Sequence, residues 1–330
     1  MNIDQKVKNI IFVSEGGLGK VIASTAVVKR LKEEFPDKRI IVIAGFPEVF
    51  QYNPHVYRVF NFNNPLNFYD DWVTPESHII KVEPYAETDY IFNRKSLLEM
   101  WCNQIGFDLK DAKPELFFMR NEEEAGELYV KKITGGGKKK FILVQWCGGL
   151  IPNDKEGLSF HDSKNRMHRR TLPVKVVQKL VNKLITREYT VGVIQHENYP
   201  TIQGAERIFF PIRGVLILLK YAEGFIGIDS FLHHGAEAMG AKGVVVWGGT
   251  NPKKLGYSDQ VNLTREVCPT PFCHRPDSYV FDANPTTGLW NCPHNEACLD
   301  HDADDILNAY ENVITEKEKQ TKKKKEVKDE

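Results

Sequence analysis

One stretch of the chain combines an acid, a hydroxyl and a histidine directly after an apolar run. Asp229 and Ser230 follow the run from Phe225 to Ile228, and His234 lies four residues beyond Ser230. Where a buried strand leads into a helix, the helix N-terminus presents free N–H groups and a partial positive charge. Together with a hydroxyl and an imidazolium, such a turn can hold a diphosphate. The structural alternative is that Asp229 caps the helix and His234 packs in the core.

A second candidate site is a glycine-rich loop after the apolar run from Ile10 to Val13. Its residues are Gly16, Gly17, Gly19 and Lys20. The P-loop pattern fails at both ends, because Ser14 stands where the first glycine is needed and Val21 replaces the Mg²⁺-binding hydroxyl; a P-loop-like NTPase stays the least favoured alternative, on account of Gly19-Lys20. A dinucleotide fingerprint is excluded because Ile22 replaces its third glycine. Two interpretations stay open: a loop of close approach at an interdomain cleft, or a tight turn required by packing.

Four cysteines cluster late in the chain, in a segment without clear helical or strand periodicity. They are Cys268, Cys273, Cys292 and Cys298. A tetrahedral Fe or Zn ion can fold such a loop-rich segment, because ligand bonds replace missing core. The spacing departs from that of a zinc ribbon, so unligated thiols and disulfides stay open as alternatives.

Composition narrows the class of protein. The chain has 330 residues, 42% hydrophobic and 27% charged, with a formal net charge of +0. These are globular values, and the charge balance gives no global field for nucleic acid. No apolar run approaches the ~20 residues of a membrane helix, and the first run is too short for a signal peptide. We therefore expect a cytoplasmic protein. The Lys/Glu-rich tail 316–330 is expected to be solvated and disordered, with contact to an anionic membrane surface as the alternative.

Strand and helix patterns predict an α/β protein with two Rossmann-like domains facing a cleft. The opening strand, the helix from Val21 to Phe35 and the strand from Arg39 to Ala44 form a βαβ unit, which implies a parallel sheet. A short strand is also expected from Glu115 to Met119. The flexible, basic stretch 134–140 predicts a linker. We therefore place one domain at 1–137 and a second at 138–315, the latter including the Cys-rich segment 268–298.

Taken together, the order of the motifs resembles the heptosyltransferase-like glycosyltransferases of family nine, which have the GT-B fold. The matching segments are the loop Gly16 to Ile22, Phe35-Pro36, Arg170-Thr171-Leu172-Pro173, Gly227 to His234, and Gly248-Gly249-Thr250-Asn251-Pro252. They span roughly residues 10 to 300 in the family's order. The set is far more specific than any one of its members.

The resemblance implies an inverting glycosyltransferase that moves a sugar, typically heptose, from a nucleotide diphosphate to an acceptor hydroxyl without a metal cofactor. The acceptor is a saccharide, a glycolipid or a protein. Asp229, Ser230 and His234 would contact the donor diphosphate, and Arg170 would pair with a phosphate. His196 and Glu197 would meet the nucleoside. A cysteine-rich autotransporter-modifying branch of the family carries iron in the region of the late cysteines.

Two residues depart from the family's pattern. Phe231 replaces a glycine beside the phosphates, and Lys20 replaces the aspartate that deprotonates the acceptor. An ammonium is a poor base at neutral pH. Three interpretations stay open: Lys20 binds an acidic acceptor or a phosphate, a carboxylate such as Glu15 is the catalytic base, or the protein binds its ligand without turnover.

Overall fold

The computed structural model describes residues 3–148, 170–195, 199–269, 271–273, 294 and 297–315. Within these residues the chain forms two parallel sheets flanked by helices, which confirms the predicted α/β class. No helix in the described part of the chain is both long and apolar enough to cross a bilayer.

The first sheet has four parallel strands in the order β3-β2-β1-β4. Its strands β1 and β2 are nearly continuous apolar runs, as expected for strands covered on both faces. The elements of this half are β1 (Asn9–Ser14), α1 (Leu18–Glu34), β2 (Arg39–Ala44), β3 (Arg58–Asn61), α2 (Phe68–Trp72), β4 (Ser77–Ile80), α3 (Thr88–Ile91), α4 (Leu97–Ile105) and α5 (Arg120–Ile133).

The second sheet has six parallel strands in the order β10-β9-β8-β5-β6-β7. Its elements are β5 (Lys140–Val144), α6 (Val174–Thr186), β6 (Tyr189–Ile194), β7 (Glu206–Ile208), α7 (Ile212–Leu216), α8 (Leu218–Tyr221), β8 (Gly224–Ile228), α9 (Phe231–Met239), β9 (Gly243–Val246), α10 (Pro252–Leu255), β10 (Val261–Leu263) and a last helix, α11, over 303–315. Helix α9 begins at Phe231, directly after the Asp229-Ser230 turn.

The strand order of each sheet reverses at one point. In the first sheet β2 and β4 lie on opposite sides of β1, and in the second sheet β6 and β8 lie on opposite sides of β5. At such a point the chain connections diverge, and a crevice opens beyond the carboxyl ends of the two strands. The crevices therefore lie beyond β1 and β4 in one sheet and beyond β5 and β8 in the other.

A continuous hydrophobic core joins the two halves. One buried cluster contains Phe12 of β1, Ala26 of α1, Leu143 of β5 and Leu232 of α9. Helix α1 packs directly against α9. A second cluster covers the other face of the second sheet with α6 and α11. Because this core is shared, the N-terminal ends of α1 and α9 lie side by side.

The segment from Glu115 to Met119 is not a strand, so that prediction was wrong. Its backbone groups form hydrogen bonds with side chains and not with a neighbouring strand. The Glu115 N–H donates to Thr25 Oγ1 at 2.9 Å, and the Phe117 carbonyl accepts from the Arg213 guanidinium at 2.8 Å. The following helix α5 lies against the second half, where Tyr221 donates to the Glu123 carbonyl at 2.8 Å. The boundary at 137 stays a prediction.

Candidate active site

The crevice of the second sheet contains the Asp229-Ser230 turn, which directly follows β8. Both lie at the N-terminus of α9, with Ser230 at the N-cap position. The Ser230 side chain does not cap the helix. Instead buried Gln145, which follows β5, donates from Nε2 to Ser230 Oγ at 3.0 Å and accepts from the Leu232 N–H at 3.3 Å. A side chain from the neighbouring strand therefore orients this helix N-terminus.

Asp229 is buried and carries a negative charge. Burial alone would raise its pKa, but the His233 ring, the charge of Arg170 and the Thr250 hydroxyl outweigh burial, so that the pKa of Asp229 lies below its ordinary 3.8. The Nε2 atom of His233 is 3.7 Å from Asp229 Oδ1. Arg170 Nη1 donates to the Asp229 carbonyl oxygen at 3.3 Å. The structure thus brings together Arg170, Asp229 and Ser230, three of the predicted donor-binding residues.

His234 lies beside them, almost fully buried, with Nδ1 2.7 Å from the Tyr257 hydroxyl oxygen. Burial, and then the charge of His233, lowers the pKa of His234 well below 6.5. The ring is neutral at pH 7, so the expected imidazolium is wrong: burial disfavours the charged form. Asp229, His233 and His234 also offer ligand atoms within 4.8 Å of one another. This spacing is compatible with a metal site, and it is equally compatible with a hydrogen-bonded cluster that binds no metal.

Replacing His234 with glutamine should make the stability of the protein less dependent on pH. Because the folded ring stays neutral while the unfolded ring takes up a proton below 6.5, the wild type loses stability as the pH falls through that value. Between about pH 7.5 and about pH 5.5 the variant should lose about 1.4 kcal/mol less than the wild type.

Urea unfolding at both pH values measures this difference. Equal pH dependence in His234→Gln and the wild type would contradict a neutral, buried His234.

The crevice of the first sheet holds a cluster of opposite charges. Lys20 Nζ lies 2.8 Å and 3.0 Å from the two carboxylate oxygens of Glu83, and it stands over the Tyr85 and Trp101 rings at 4.8 Å and 5.3 Å. Only 9% of the Lys20 side chain is exposed. Glu15 pairs separately with Lys81. Lys20 is therefore a held cation, and both carboxylates of this crevice have a lysine partner.

The glycine loop brings the two crevices together. A Cβ on Gly19 would stand 2.8 Å from His234 Cδ2 and 3.5 Å from the Phe231 backbone, so only glycine permits this approach of α1 to α9. Gly16 has φ +105°, which L side chains rarely adopt, whereas a Cβ on Gly17 would meet nothing within 4 Å. The interpretation of the loop as a close approach at a cleft is supported by these distances.

Several predicted residues cannot be placed. His196, Glu197 and Cys292 lie outside the described residues, as does the tail 316–330. Cys268, Cys273 and Cys298 are half-buried. The nucleoside contacts and the four-cysteine Fe or Zn site therefore stay predictions.

The sequence alone assigned no role to several residues of the two crevices, among them Gln145, Tyr257, Glu83 and Tyr85, and Thr250 entered only as part of a motif. Gln145 and Thr250 follow buried apolar runs, and a search of every strand end for polar residues would have found them. Glu83 follows β4, whose four residues Ser77–Ile80 give too short a pattern to identify a strand. Its pairing with β1 is what puts Glu83 in the site.

Two facing Rossmann-like sheets with a charged crevice in each define a protein of the GT-B type. No protein-family model matches the sequence, and no curated protein matches it. Solved structures do match. A glycosyltransferase family 9 protein from Veillonella parvula has 14% identity and a TM-score of 0.66, with 96% of this chain and 99% of that chain covered.

Two heptosyltransferases are also similar to this chain. ADP-heptose LPS heptosyltransferase II of E. coli has 11% identity and a TM-score of 0.62, with 94% of this chain and 99% of that one covered. The dodecameric, iron-containing heptosyltransferase TibC, solved with ADP-D-β-D-heptose, has 14% identity and a TM-score of 0.62, with 94% and 79% covered. At these identities the likeness shows the fold. The GT-B architecture inferred from the motifs is confirmed.

Proposed function

We propose that this protein is an inverting glycosyltransferase that moves a sugar, heptose in the first instance, from a nucleotide diphosphate to an acceptor hydroxyl. One observation carries the proposal. Arg170 contacts the Asp229-Ser230 turn at the point where the strand order of the second sheet reverses, and Gly19, which follows β1 of the first sheet, approaches helix α9 beside that turn. Proteins of this fold include a heptosyltransferase solved with ADP-D-β-D-heptose. The proposal joins that fold to this site.

The donor diphosphate would bind through positive groups and N–H donors. Arg170 would pair with a phosphate through its planar fork, and the N–H groups at the start of α9 would add the partial positive charge of the helix. Ser230 and neutral His234 would contribute hydrogen bonds. The ionised Asp229 would repel a phosphate, so we assign it to holding the turn through Arg170, His233 and Thr250.

In the reaction, these groups would stabilise the charge that develops on the leaving diphosphate. Donors fixed before the bond breaks need no reorganisation at that moment, which makes such stabilisation effective. Opposite the donor, an acceptor saccharide, glycolipid or protein would enter from the crevice of the first sheet. Nucleic acid is not among the expected partners.

Replacing Arg170 with alanine should weaken ADP binding at least about tenfold, because a hydrogen bond to a charged group contributes about 1.5 kcal/mol or more. Titration calorimetry with ADP measures the affinity. The matched control is Arg187→Ala. Arg170 precedes helix α6, whereas Arg187 directly follows the last residue of α6 and pairs with Glu311. Wild-type protein that binds neither ADP nor another nucleoside diphosphate would overturn the proposed function.

A noncatalytic sugar-nucleotide binding protein is the second candidate. It is favoured by Lys20, which stands where the resembled family has its base and which donates to Glu83. That candidate predicts ADP binding with no turnover of any nucleotide sugar. A P-loop-like NTPase is disfavoured, because Val21 is fully buried and Lys20 is engaged with Glu83. A cytoplasmic location, with contact to a membrane surface, and the Fe or Zn site are kept as proposals.

A further inference from the structure

We propose that Glu83 is the general base of the transfer reaction and that the acceptor hydroxyl enters the pocket between the carboxyl ends of β1 and β4. This inference rests on the proposed function. The pocket has a volume of about 190 Å³ and is lined by Val13, Glu15, Lys20, Lys81, Val82, Glu83 and Trp101. Two carboxylates and two ammonium groups beside an aromatic wall suit a hydroxylated acceptor.

Two carboxylates of this pocket compete for the role of base, and their contacts distinguish them. The Lys20 ammonium donates to both carboxylate oxygens of Glu83. The Oε1 atom of Glu83 also accepts a hydrogen bond from the Tyr85 N–H at 3.2 Å. These donors fix the direction of the carboxylate, while 56% of the side chain remains exposed to an incoming hydroxyl. Glu15 is 35% exposed and is held by Lys81.

The position of Glu83 relative to the donor crevice agrees with this choice. Burial raises the pKa of Tyr85, and the negative charges of Asp229 and Glu83 raise it further, while Arg170 lowers it. The same two carboxylates, after burial and Tyr85, raise the pKa of Tyr90. The Tyr85 phenol is therefore within electrostatic reach of Glu83, Asp229 and Arg170. By contact, Glu83 binds Lys20, and the neighbouring Gly19 approaches His234 of the donor crevice.

Lys20 then acts as a positioning residue. Its ammonium donates to Glu83 and makes cation–π contacts with the Tyr85 and Trp101 rings. A lysine at this position cannot accept a proton while it donates to Glu83. The carboxylate that Lys20 orients thus lies at the end of the neighbouring strand β4 and not in the loop of Lys20 itself.

The proposed step is a single displacement. The acceptor oxygen attacks the anomeric carbon as its proton passes to the Glu83 carboxylate. The bond from the anomeric carbon to the phosphate oxygen breaks, and its electron pair leaves with the diphosphate beside Arg170. Glu83 later gives its proton to water. General-base catalysis of this kind contributes about 100-fold or more to a rate.

The test uses ADP-heptose, with UDP-glucose and GDP-mannose as further donors, and water as the acceptor. The rate of nucleotide release should fall about 100-fold in Glu83→Gln, while its ADP affinity stays within about threefold of wild type. The matched control is Glu76→Gln, at the other end of β4, where the side chain pairs with Lys8 at the surface. That variant should keep the wild-type rate.

A base can be bypassed by a nucleophile that needs no deprotonation. Sodium azide should therefore restore nucleotide release in Glu83→Ala and yield a glycosyl azide, a rescue that a merely structural role of Glu83 would not permit. If Glu83→Ala loses nucleotide release and azide does not restore it, the assignment is wrong. It is also wrong if Glu83→Gln keeps the wild-type rate while Glu15→Gln loses it.

The two proposals fail in different ways. If Glu83→Gln turns over a donor as fast as the wild type does, the proposed transferase activity is retained but Glu83 is not its base. Wild-type protein that binds no nucleoside diphosphate, or turns over none of the three donors, overturns the base assignment together with the transferase.

Discussion

Replacing Arg213 with methionine should lower the free energy of unfolding by about 3 kcal/mol, the lower end for a broken buried ion pair, because Glu122 keeps some contact with water. Arg213 is 9% exposed and binds both Glu122 oxygens at 2.7 Å. It also donates to the Glu48 carbonyl at 3.0 Å and to the Phe117 carbonyl at 2.8 Å. The variant removes all four of these hydrogen bonds: the partly buried Glu122 carboxylate keeps the Met119 N–H but loses its charged partner.

Urea unfolding at neutral pH measures the loss, and Arg120→Ala provides the control. Arg120 pairs with Glu124 on the same helix α5, but its side chain is 91% exposed, so its loss should change the stability by less than about 0.5 kcal/mol. Equal losses in the two variants would contradict the role given to Arg213.

The Arg213–Glu122 ion pair also predicts how the stability of the protein changes at acidic pH. The hydrogen bond from Arg213 lowers the pKa of Glu122 below its ordinary 4.5. A carboxylate with a lowered folded-state pKa stabilises the protein above the unfolded value, and this contribution is lost as the pH falls through the folded value. The difference between wild type and Arg213→Met should therefore shrink below about pH 4.5.

Gly19→Ser should destabilise the protein by about 1 to 3 kcal/mol, as overpacking does in a close-packed interior. The added Cβ would stand 2.8 Å from the His234 ring, which is buried and bound to Tyr257, so the ring has little room to move. Helix α1 would have to shift away from α9, and this shift would separate the two crevices.

The identical substitution two residues earlier is the control. Gly17 has φ −70°, an ordinary conformation, and a Cβ there meets nothing within 4 Å. Serine is also a favourable N-cap residue, so Gly17→Ser should leave the stability within about 0.5 kcal/mol. Urea unfolding compares the two variants, and similar losses would show that the approach of Gly19 to His234 is unimportant.

The strands with the strongest local patterns were predictable. Continuous apolar runs identified β1, β2 and β8, because strands covered on both faces have no polar alternation. The segment from Glu115 to Met119 misled the same reasoning. Its Leu116 and Phe118 side chains pack on the core, while its backbone forms hydrogen bonds with Thr25 and Arg213, which local periodicity does not reveal.

The donor side of the site was predictable to a greater extent than the acceptor side. Asp229 and Ser230 follow a clear buried strand, and the resemblance placed Arg170 near them. On the acceptor side the local sequence pointed to Glu15, which lies in the same loop as Lys20. The structure instead pairs Lys20 with Glu83, 63 residues away in the chain.

The sequence by itself determined that buried parallel strands end in polar turns, because hydrophobic runs and the residues that follow them are local properties. Only the tertiary structure decided which turns meet. The four-residue strand β4 enters the sheet beside β1 and brings Glu83 to Lys20, a pairing that no local pattern encodes. Likewise, the approach of Gly19 buries His234, and this burial makes the ring neutral. Charge state and catalytic geometry here depend on long-range packing, since both are set by neighbours distant in the chain.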